Sequence, residues 1–171
     1  MEALQLAPAW RDKCLTGIPA ADQQPYLLAQ FLFAEIGCSS EAVLPPRIRD
    51  QQRGLLAGPC VLQMEQALNI SQNEEARRTD PDAADSGPWR TLKLLLTDGY
   101  QTVVGMELRR VPSLNSRTPP GTKLVLRGVP VSHGVLLLTP ANTVVLGGGL
   151  KGPSQAADAH TVPVPTPVPS S

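Results

Sequence analysis

Two periodicities of apolar and polar residues divide the chain. Near the N-terminus, Leu27, Leu28, Phe31, Leu32 and Ile36 recur at helical spacing, the pattern of a helix with one face against a core. This predicts a helix from Asp22 to Gly37 that tolerates Pro25 in its first turn. A shorter helix precedes it, opened by Pro8, with Trp10 and Cys14 one turn apart and Gly17 as its stop. Residues 1–45 therefore read as a small helical bundle. Pro45 and Pro46 interrupt the pattern, and residues 46–57 read as a connector.

From residue 58 the period becomes two. Cys60, Leu62, Met64, Leu68 and Ile70 alternate with Val61, Gln63, Glu65, Ala67 and Asn69, which predicts a strand burying the first set. Leu92, Leu94 and Leu96 alternate likewise. Asp98-Gly99 supplies a turn, and Tyr100–Glu107 returns with Thr102, Val104 and Met106 on one side. Pro119-Pro120-Gly121 turns the chain ahead of a strand from Lys123 to Val129. His133-Gly134 turns it into Val135–Leu138, and a last strand from Asn142 to Leu146 runs into three glycines. Short strands spaced by turn residues over 58–150 predict a small antiparallel barrel.

Two stretches fit neither period. Ser71–Arg90 is polar and charged. It is far longer than the two to five residues usual in a hairpin, so it is an insertion, disordered or functional. Residues 151–171 end in alternating Val and Pro, which forms neither ladder nor helix, and are expected to be an extended, disordered tail. The 18 prolines agree with linker or tail.

Composition narrows the function classes. Apolar residues reach 42%, enough for a packed core, and 15 basic residues balance 15 acidic ones. A domain whose affinity rests on neutralising phosphates shows a basic face, so direct nucleic-acid binding is expected to be weak at most. The cysteines, Cys14, Cys38 and Cys60, lie more than 20 residues apart. They are expected to be buried structural thiols of a reducing compartment, without zinc or disulfide. No early stretch reads as a signal peptide and no apolar run approaches the ~18 residues of a membrane span, so a soluble intracellular protein is expected. No metal, cofactor or catalytic residue is assigned. His133 lacks an orienting carboxylate in sequence, and Ser132 beside it faces the other way if the chain is extended. Asp80, Asp82 and Asp85 lack the glycine and terminal glutamate of a calcium loop.

Several motifs, in order, carry a family resemblance. The segment Leu92-Lys93-Leu94-Leu95-Leu96-Thr97-Asp98-Gly99 resembles a strand and turn of the RecQ-mediated genome instability protein 1 family and its Tudor-domain-containing relative. Pro119-Pro120-Gly121-Thr122-Lys123 resembles their shared turn. Gly134 through Leu138, followed by Val144 through Gly147 and Gly148, resembles their ending. Trp10 and Cys14 resemble the WxxxC of their N-terminal helices. The resemblance covers about residues 8–150, and these residues mark the fold rather than a reaction. It implies an α+β protein: a small N-terminal helical bundle packed on a five-stranded antiparallel OB-fold barrel. It further implies a non-catalytic, nuclear adaptor that binds and stimulates a type IA topoisomerase of the III class. That adaptor works in a RecQ helicase complex that dissolves double Holliday junctions, and the insertion between the first two barrel strands reaches the topoisomerase gate.

On that footing the partner-binding candidates lie in the insertion: Arg77, Arg78, Trp89 and Arg90. Interface anchors are enriched in Trp and Arg. Trp89, preceded by Gly87-Pro88, is either folded back over the barrel rim or presented to a partner. Arg109, Arg110, Arg117, Lys123 and Arg127 form the one basic group, and with only Trp89 and Tyr100 as stacking platforms it makes a poor nucleic-acid groove. A nucleic-acid-binding OB protein acting without topoisomerase, and a truncated paralogue that has lost its partner, stand as alternatives.

Overall fold

The computed structural model describes residues 4–79, 85 and 87–150, so the expected tail at 151–171 and Asp80 and Asp82 lie outside the described residues. The N-terminal stripe folds into helices α1 (Pro8–Leu15), α2 (Gln23–Phe33) and α3 (Ile36–Ser39). Pro8 occupies the first turn of α1, as read from the sequence. The second helix, however, stops four residues before Gly37, because Ala34 and Glu35 are extended, with ψ of 152° and 128°. Two barrel side chains hold that break open. Lys123 Nζ donates to the Ala34 carbonyl at 2.8 Å, and Gln63 Oε1 accepts from the Ile36 N–H at 3.1 Å. The predicted stripe does face the barrel: Phe31 and Ile36 pack on Val61 and Val125. Trp10 closes edge-on to Phe31, 6.4 Å between ring centres.

The connector holds more than expected. A 3-10 turn at Ile48–Asp50 leads into strand β1 (Arg53–Leu56). Its Arg-Gly-Leu-Leu sequence has no alternation, and only pairing with a later strand defines it. The remaining strands are β2 (Cys60–Asn69), β3 (Leu92–Thr97), β4 (Thr102–Glu107), β5 (Thr122–Leu126), β6 (Val129–Ser132), β7 (Val135–Leu138) and β8 (Thr143–Gly148). They form one curled sheet in the order β1-β6-β7-β4-β3-β2-β5-β8. The five-stranded, wholly antiparallel expectation is corrected in two respects: there are eight segments, and β4 and β7 run parallel. The expected strand from Lys123 to Val129 is broken at Arg127-Gly128. Its first part pairs with β2 and β8, and the chain beyond pairs with β1 and β7. The core inside the curl is aliphatic, with Leu62, Met64, Leu94, Leu96, Leu124 and Leu136 fully buried.

The register of β2 shifts between Met64 and Gln66. Such a bulge inserts one residue and reverses the facing of everything beyond it. Cys60, Leu62 and Met64 point inward as expected, whereas Leu68 and Ile70 are exposed and Asn69 is buried in their place. In β4 the buried set is Val103, Gly105 and Glu107, which turns Thr102, Val104 and Met106 outward. No helix among the described residues is long and apolar enough to cross a membrane.

Helices and barrel meet backbone to backbone at Gly37 and Gly99. A Cβ on Gly99 would lie 2.2 Å from Gly37 Cα, and Gly99 has φ of +92°. Gly147 shares the left-handed conformation, at φ +90°, but has open space around its missing side chain. Gly147→Ala is therefore expected to cost only backbone strain, about 1 kcal/mol, and Gly99→Ala about 3 kcal/mol or more by adding a collision between backbones. Thermal melting of the two variants side by side checks the difference.

Candidate partner-binding site

The insertion leaves and re-enters the barrel through specific contacts. Asn69 Oδ1 accepts from Ser71 N–H at 3.1 Å and from Ser71 Oγ at 2.7 Å, turning the chain out of β2. A short helix α4 (Glu74–Thr79) follows, its two glutamates in the first turn. Arg78 pairs with Glu74 at 2.6 Å, both side chains exposed, a contact worth little in stability. Arg77 lies in α4, and its side chain is outside the described residues. On the return leg Asp85 Oδ2 accepts from Ser116 N–H at 2.6 Å and Ser116 Oγ at 2.7 Å. Arg110 also donates to the Asp85 carbonyl at 3.2 Å. These bonds fasten the insertion to the loop that follows β4. Nothing in the local pattern around Asp85 or Ser116 announces them.

Trp89 and Arg90, adjacent in sequence, part company here. The turn Gly87-Pro88-Trp89 leaves the indole 83% exposed, presented to solvent rather than folded over the rim. Arg90 is buried, with its side chain only 2% exposed, and its assignment as a partner contact is corrected. Its guanidinium pairs with Glu107 and donates to the carbonyls of Leu114 at 2.6 Å and Val111 at 3.1 Å. Glu107 in turn accepts from the N–H groups of Leu92 at 2.9 Å and Val111 at 3.0 Å. A charge so placed is tolerated only when it is paired and hydrogen-bonded. Arg90 thus locks the stem from which Trp89 projects. Among the described residues Arg90 Nε and Asp85 Oδ1 have no hydrogen-bond partner; both residues line a cleft of about 340 Å³ shared with Arg110 and Arg117, roomy enough for water.

The motif residues do a different job from their neighbours in the insertion. Asp98, fully buried, accepts four backbone N–H groups. Oδ1 takes Tyr100 at 3.0 Å and Gln101 at 2.8 Å, and Oδ2 takes Val43 at 3.0 Å and Leu44 at 2.9 Å. Burial alone would raise its pKa, but the four donors together hold the carboxyl below its ordinary value. Lys123, a member of both the basic group and the fold motif, is fully buried and so offers no charge to a nucleic-acid groove. Its Nζ donates to the Gln63 side chain at 3.0 Å and the Gly121 carbonyl at 2.9 Å, besides Ala34, and sits 5.7 Å from the centre of the Phe31 ring. Burial pulls this amine down to about 8, with Glu35 acting in the opposite sense. Pro119 accepts from Thr122, the Pro120 carbonyl from Leu150 N–H, and Gly134 N–H donates to Gln51. Gly148 closes β8 opposite Thr122, next to Gly149, whose N–H reaches the Leu32 carbonyl at 3.2 Å. Asp98, Gly99, Lys123 and Gly148 lie at the junction of helical unit and sheet.

Of the thiols, Cys60 is buried, and burial followed by the nearby Asp98 pushes it up to about 11. Cys14 is half-buried, and Cys38 is exposed, which corrects its expected burial. Ser132 Oγ comes within 3.1 Å of His133 Nδ1 because His133 takes a φ of +50° rather than an extended backbone. No acidic side chain lines the cleft beside them. Among the described residues no His, Cys, Asp and Glu cluster could hold a metal ion.

Comparison with known proteins matches this architecture. A family model described as RMI1, N-terminal OB-fold domain, covers residues 44–160. The RecQ-mediated genome instability protein 1 of Oryza sativa subsp. japonica is 35% identical over 152 residues, covering 85% of this chain and 18% of the relative. That of Danio rerio is 36% identical over 173 residues, covering 85% of this chain and 33% of the relative. Tudor domain-containing protein 3 of Xenopus tropicalis is 37% identical over 118 residues, 68% of this chain and 16% of the relative. The chain thus spans a third or less of these relatives' lengths. With its helical unit clamped on a curled mixed sheet through the very residues of the shared motifs, this chain belongs to the RMI1 N-terminal OB-fold family.

Proposed function

We propose that this chain is a non-catalytic adaptor of a RecQ-associated genome-stability complex. It binds a type IA topoisomerase of the III class through its insertion and supports double Holliday junction dissolution in the nucleus. Relatives of this chain are named for RecQ-mediated genome instability. The single observation that carries the binding role is Trp89, an indole held 83% exposed on a stem that Arg90 fixes. Leaving so large an apolar ring in water is unfavourable unless a partner covers it, and rigid aromatic anchors are what such contacts favour. Arg78 stands exposed on α4 of the same insertion.

The test pairs pull-down against both type III topoisomerases with a single-strand DNA titration. Trp89→Ala is expected to weaken topoisomerase binding roughly thirtyfold, about 2 kcal/mol, with melting nearly unchanged because the residue is 83% exposed. Deleting the loop is a coarser probe, since removing Asp85 also frees Ser116. Wild-type binding by Trp89→Ala would remove the insertion from the interface. Sub-micromolar binding to single-stranded DNA at physiological salt, without topoisomerase binding, would favour an independent nucleic-acid-binding protein. A folded chain that binds neither would be a product that has lost its partner.

A further inference from the structure

Two buried polar atoms at the foot of the insertion are unsatisfied among the described residues, and they are of opposite kind. Arg90 Nε is a donor and Asp85 Oδ1 an acceptor. The rest of each side chain is occupied. The terminal nitrogens of Arg90 serve Glu107, Leu114 and Val111, and Asp85 Oδ2 takes both donors of Ser116. Leaving a donor or an acceptor bare beneath the surface is unfavourable, so each such group calls for a reason.

Both residues line one cleft, about 340 Å³ in volume, together with Arg110, Arg117 and the apolar Pro112 and Leu114. That volume falls at the lower end of small-ligand sites. Three guanidiniums stand there against two carboxylates, Asp85 and the Glu107 bonded to Arg90, which leaves one positive charge. A ligand that satisfies these groups is an anion, because guanidiniums hold oxyanions by paired, charge-assisted bonds. It must also carry a hydrogen, because an ionised carboxylate only accepts. Sulfate at neutral pH and the phosphodiester of a nucleic-acid backbone bring lone pairs alone, and Asp85 Oδ1 would repel them. A phosphate group that keeps a proton has what they lack. Its P–OH donates to Asp85 Oδ1 while its other oxygens accept from Arg90 Nε, Arg110 and Arg117. Neither orphan atom is open to solvent. A ligand reaches them as the exposed side chains of Arg110 and Arg117 turn onto it, which releases the 3.2 Å bond from Arg110 to the Asp85 carbonyl.

We propose that this cleft, between Asp85 and Arg90 of the insertion and Arg110 and Arg117 of the loop after β4, binds a protonated phosphate group. The group is free phosphate or the monoester on a phosphorylated side chain. Bound there, it ties the return leg of the insertion to that loop alongside the Asp85–Ser116 bonds, so that phosphate stiffens the base of the insertion. The inference does not depend on the adaptor reading, since its ligand is a small anion and not the topoisomerase.

The test is an NMR titration of the full chain with inorganic phosphate, O-phosphoserine, sulfate and dimethyl phosphate in turn, at constant ionic strength. The pH is held at about 6.5, where a phosphomonoester, with its second pKa of ~6, still keeps part of its proton. Inorganic phosphate is expected to shift the Arg90 Nε–H and Ser116 N–H signals with a dissociation constant on the order of 1 mM. Sulfate and dimethyl phosphate should bind at least about tenfold more weakly, because a site built around a ligand's hydroxyl rejects the analogue without it. Tighter binding of inorganic phosphate would identify the free anion as the ligand, and tighter binding of phosphoserine a phosphorylated side chain; both support the site. Arg117→Gln should weaken phosphate about tenfold. Asp85→Asn is the sharper variant. Its remaining oxygen keeps the Ser116 bonds, and its NH2 puts a donor where the orphan acceptor was, so the preference for phosphate over sulfate should vanish or reverse. If sulfate matches phosphate on the parent, the cleft is only a patch of positive charge and the proposal fails. If no anion moves the Arg90 Nε–H signal, water serves the two orphan atoms and the proposal fails as well. An Asp85→Asn chain with the parent's preference for phosphate would take the carboxylate out of the site and overturn the assignment of a protonated ligand.

Discussion

Arg90→Met is expected to lower stability by about 3–5 kcal/mol, a drop in melting temperature of about 10 °C. The substitution keeps the volume of the side chain and removes only its charge and donors. Glu107 would then be buried and ionised without its partner, and the carbonyls of Leu114 and Val111 would lose their donor. Breaking one side of a buried pair costs more than the pair contributes, because the surviving charge has nowhere to be solvated. Arg90→Lys should recover little, since a single ammonium cannot serve three acceptors in the plane of a guanidinium. The double variant Arg90→Met with Glu107→Leu should be less damaged than the two singles predict together. It should still fall below wild type, because the N–H groups of Leu92 and Val111 lose their acceptor. Urea unfolding of the four proteins decides the matter. An Arg90→Met protein as stable as the parent would return Arg90 to the role of surface contact.

Arg90 also shows where sequence reading reaches its limit. Trp89-Arg90 looks like an anchor pair by composition, yet only the first of the two faces outward. Arg90 precedes β3, and its partner Glu107, seventeen residues on, ends β4; a single sequence carries no mark of a long-range ion pair. Lys123 misleads in the same way. It counts by composition with the arginines of the basic group, and its burial is legible only when Ala34, Gln63 and Phe31 are brought around it. By contrast, the helical stripe of α2 and the inward leucines of β3 were legible, because their periods state which side meets the core. The period in β2 failed after Met64, where one inserted residue reversed the facing and turned Leu68 and Ile70 out to the surface.

The motifs that identified the family turn out to mark a seam. Three of their residues lie where the helical unit touches the sheet: Gly99 against Gly37, Lys123 against the broken end of α2, Gly148 against Leu32. A small helical unit has too little core of its own to be stable. Its position relative to the barrel is fixed by these few polar and glycine contacts as much as by Phe31 and Ile36. For the proposed adaptor role this has a functional sense, because a partner that spanned both parts would need them at a constant angle.

Asp98→Asn isolates that seam. It is expected to cost about 3 kcal/mol at neutral pH, since four N–H donors converge on one carboxylate. An asparagine amide turns one acceptor oxygen into a donor. Whichever way it lies, it faces two N–H groups, either those of Val43 and Leu44 or those of Tyr100 and Gln101. The acid response separates this loss from a general weakening. The folded pKa of Asp98 is depressed, so its stabilisation is present above the unfolded value, ~3.9, and is lost as pH falls through the lower folded value. The parent should therefore lose stability steeply below about pH 4, and Asp98→Asn should lose less over the same range because it has no proton to take up there. If the amide settles with its donor toward residues 43 and 44, hydrogen exchange at Val43 and Leu44 should speed up most, with the helical unit loosening before the barrel. Equal acid slopes for the two proteins would mean that some other carboxylate carries the acid sensitivity and that Asp98 is a turn residue only.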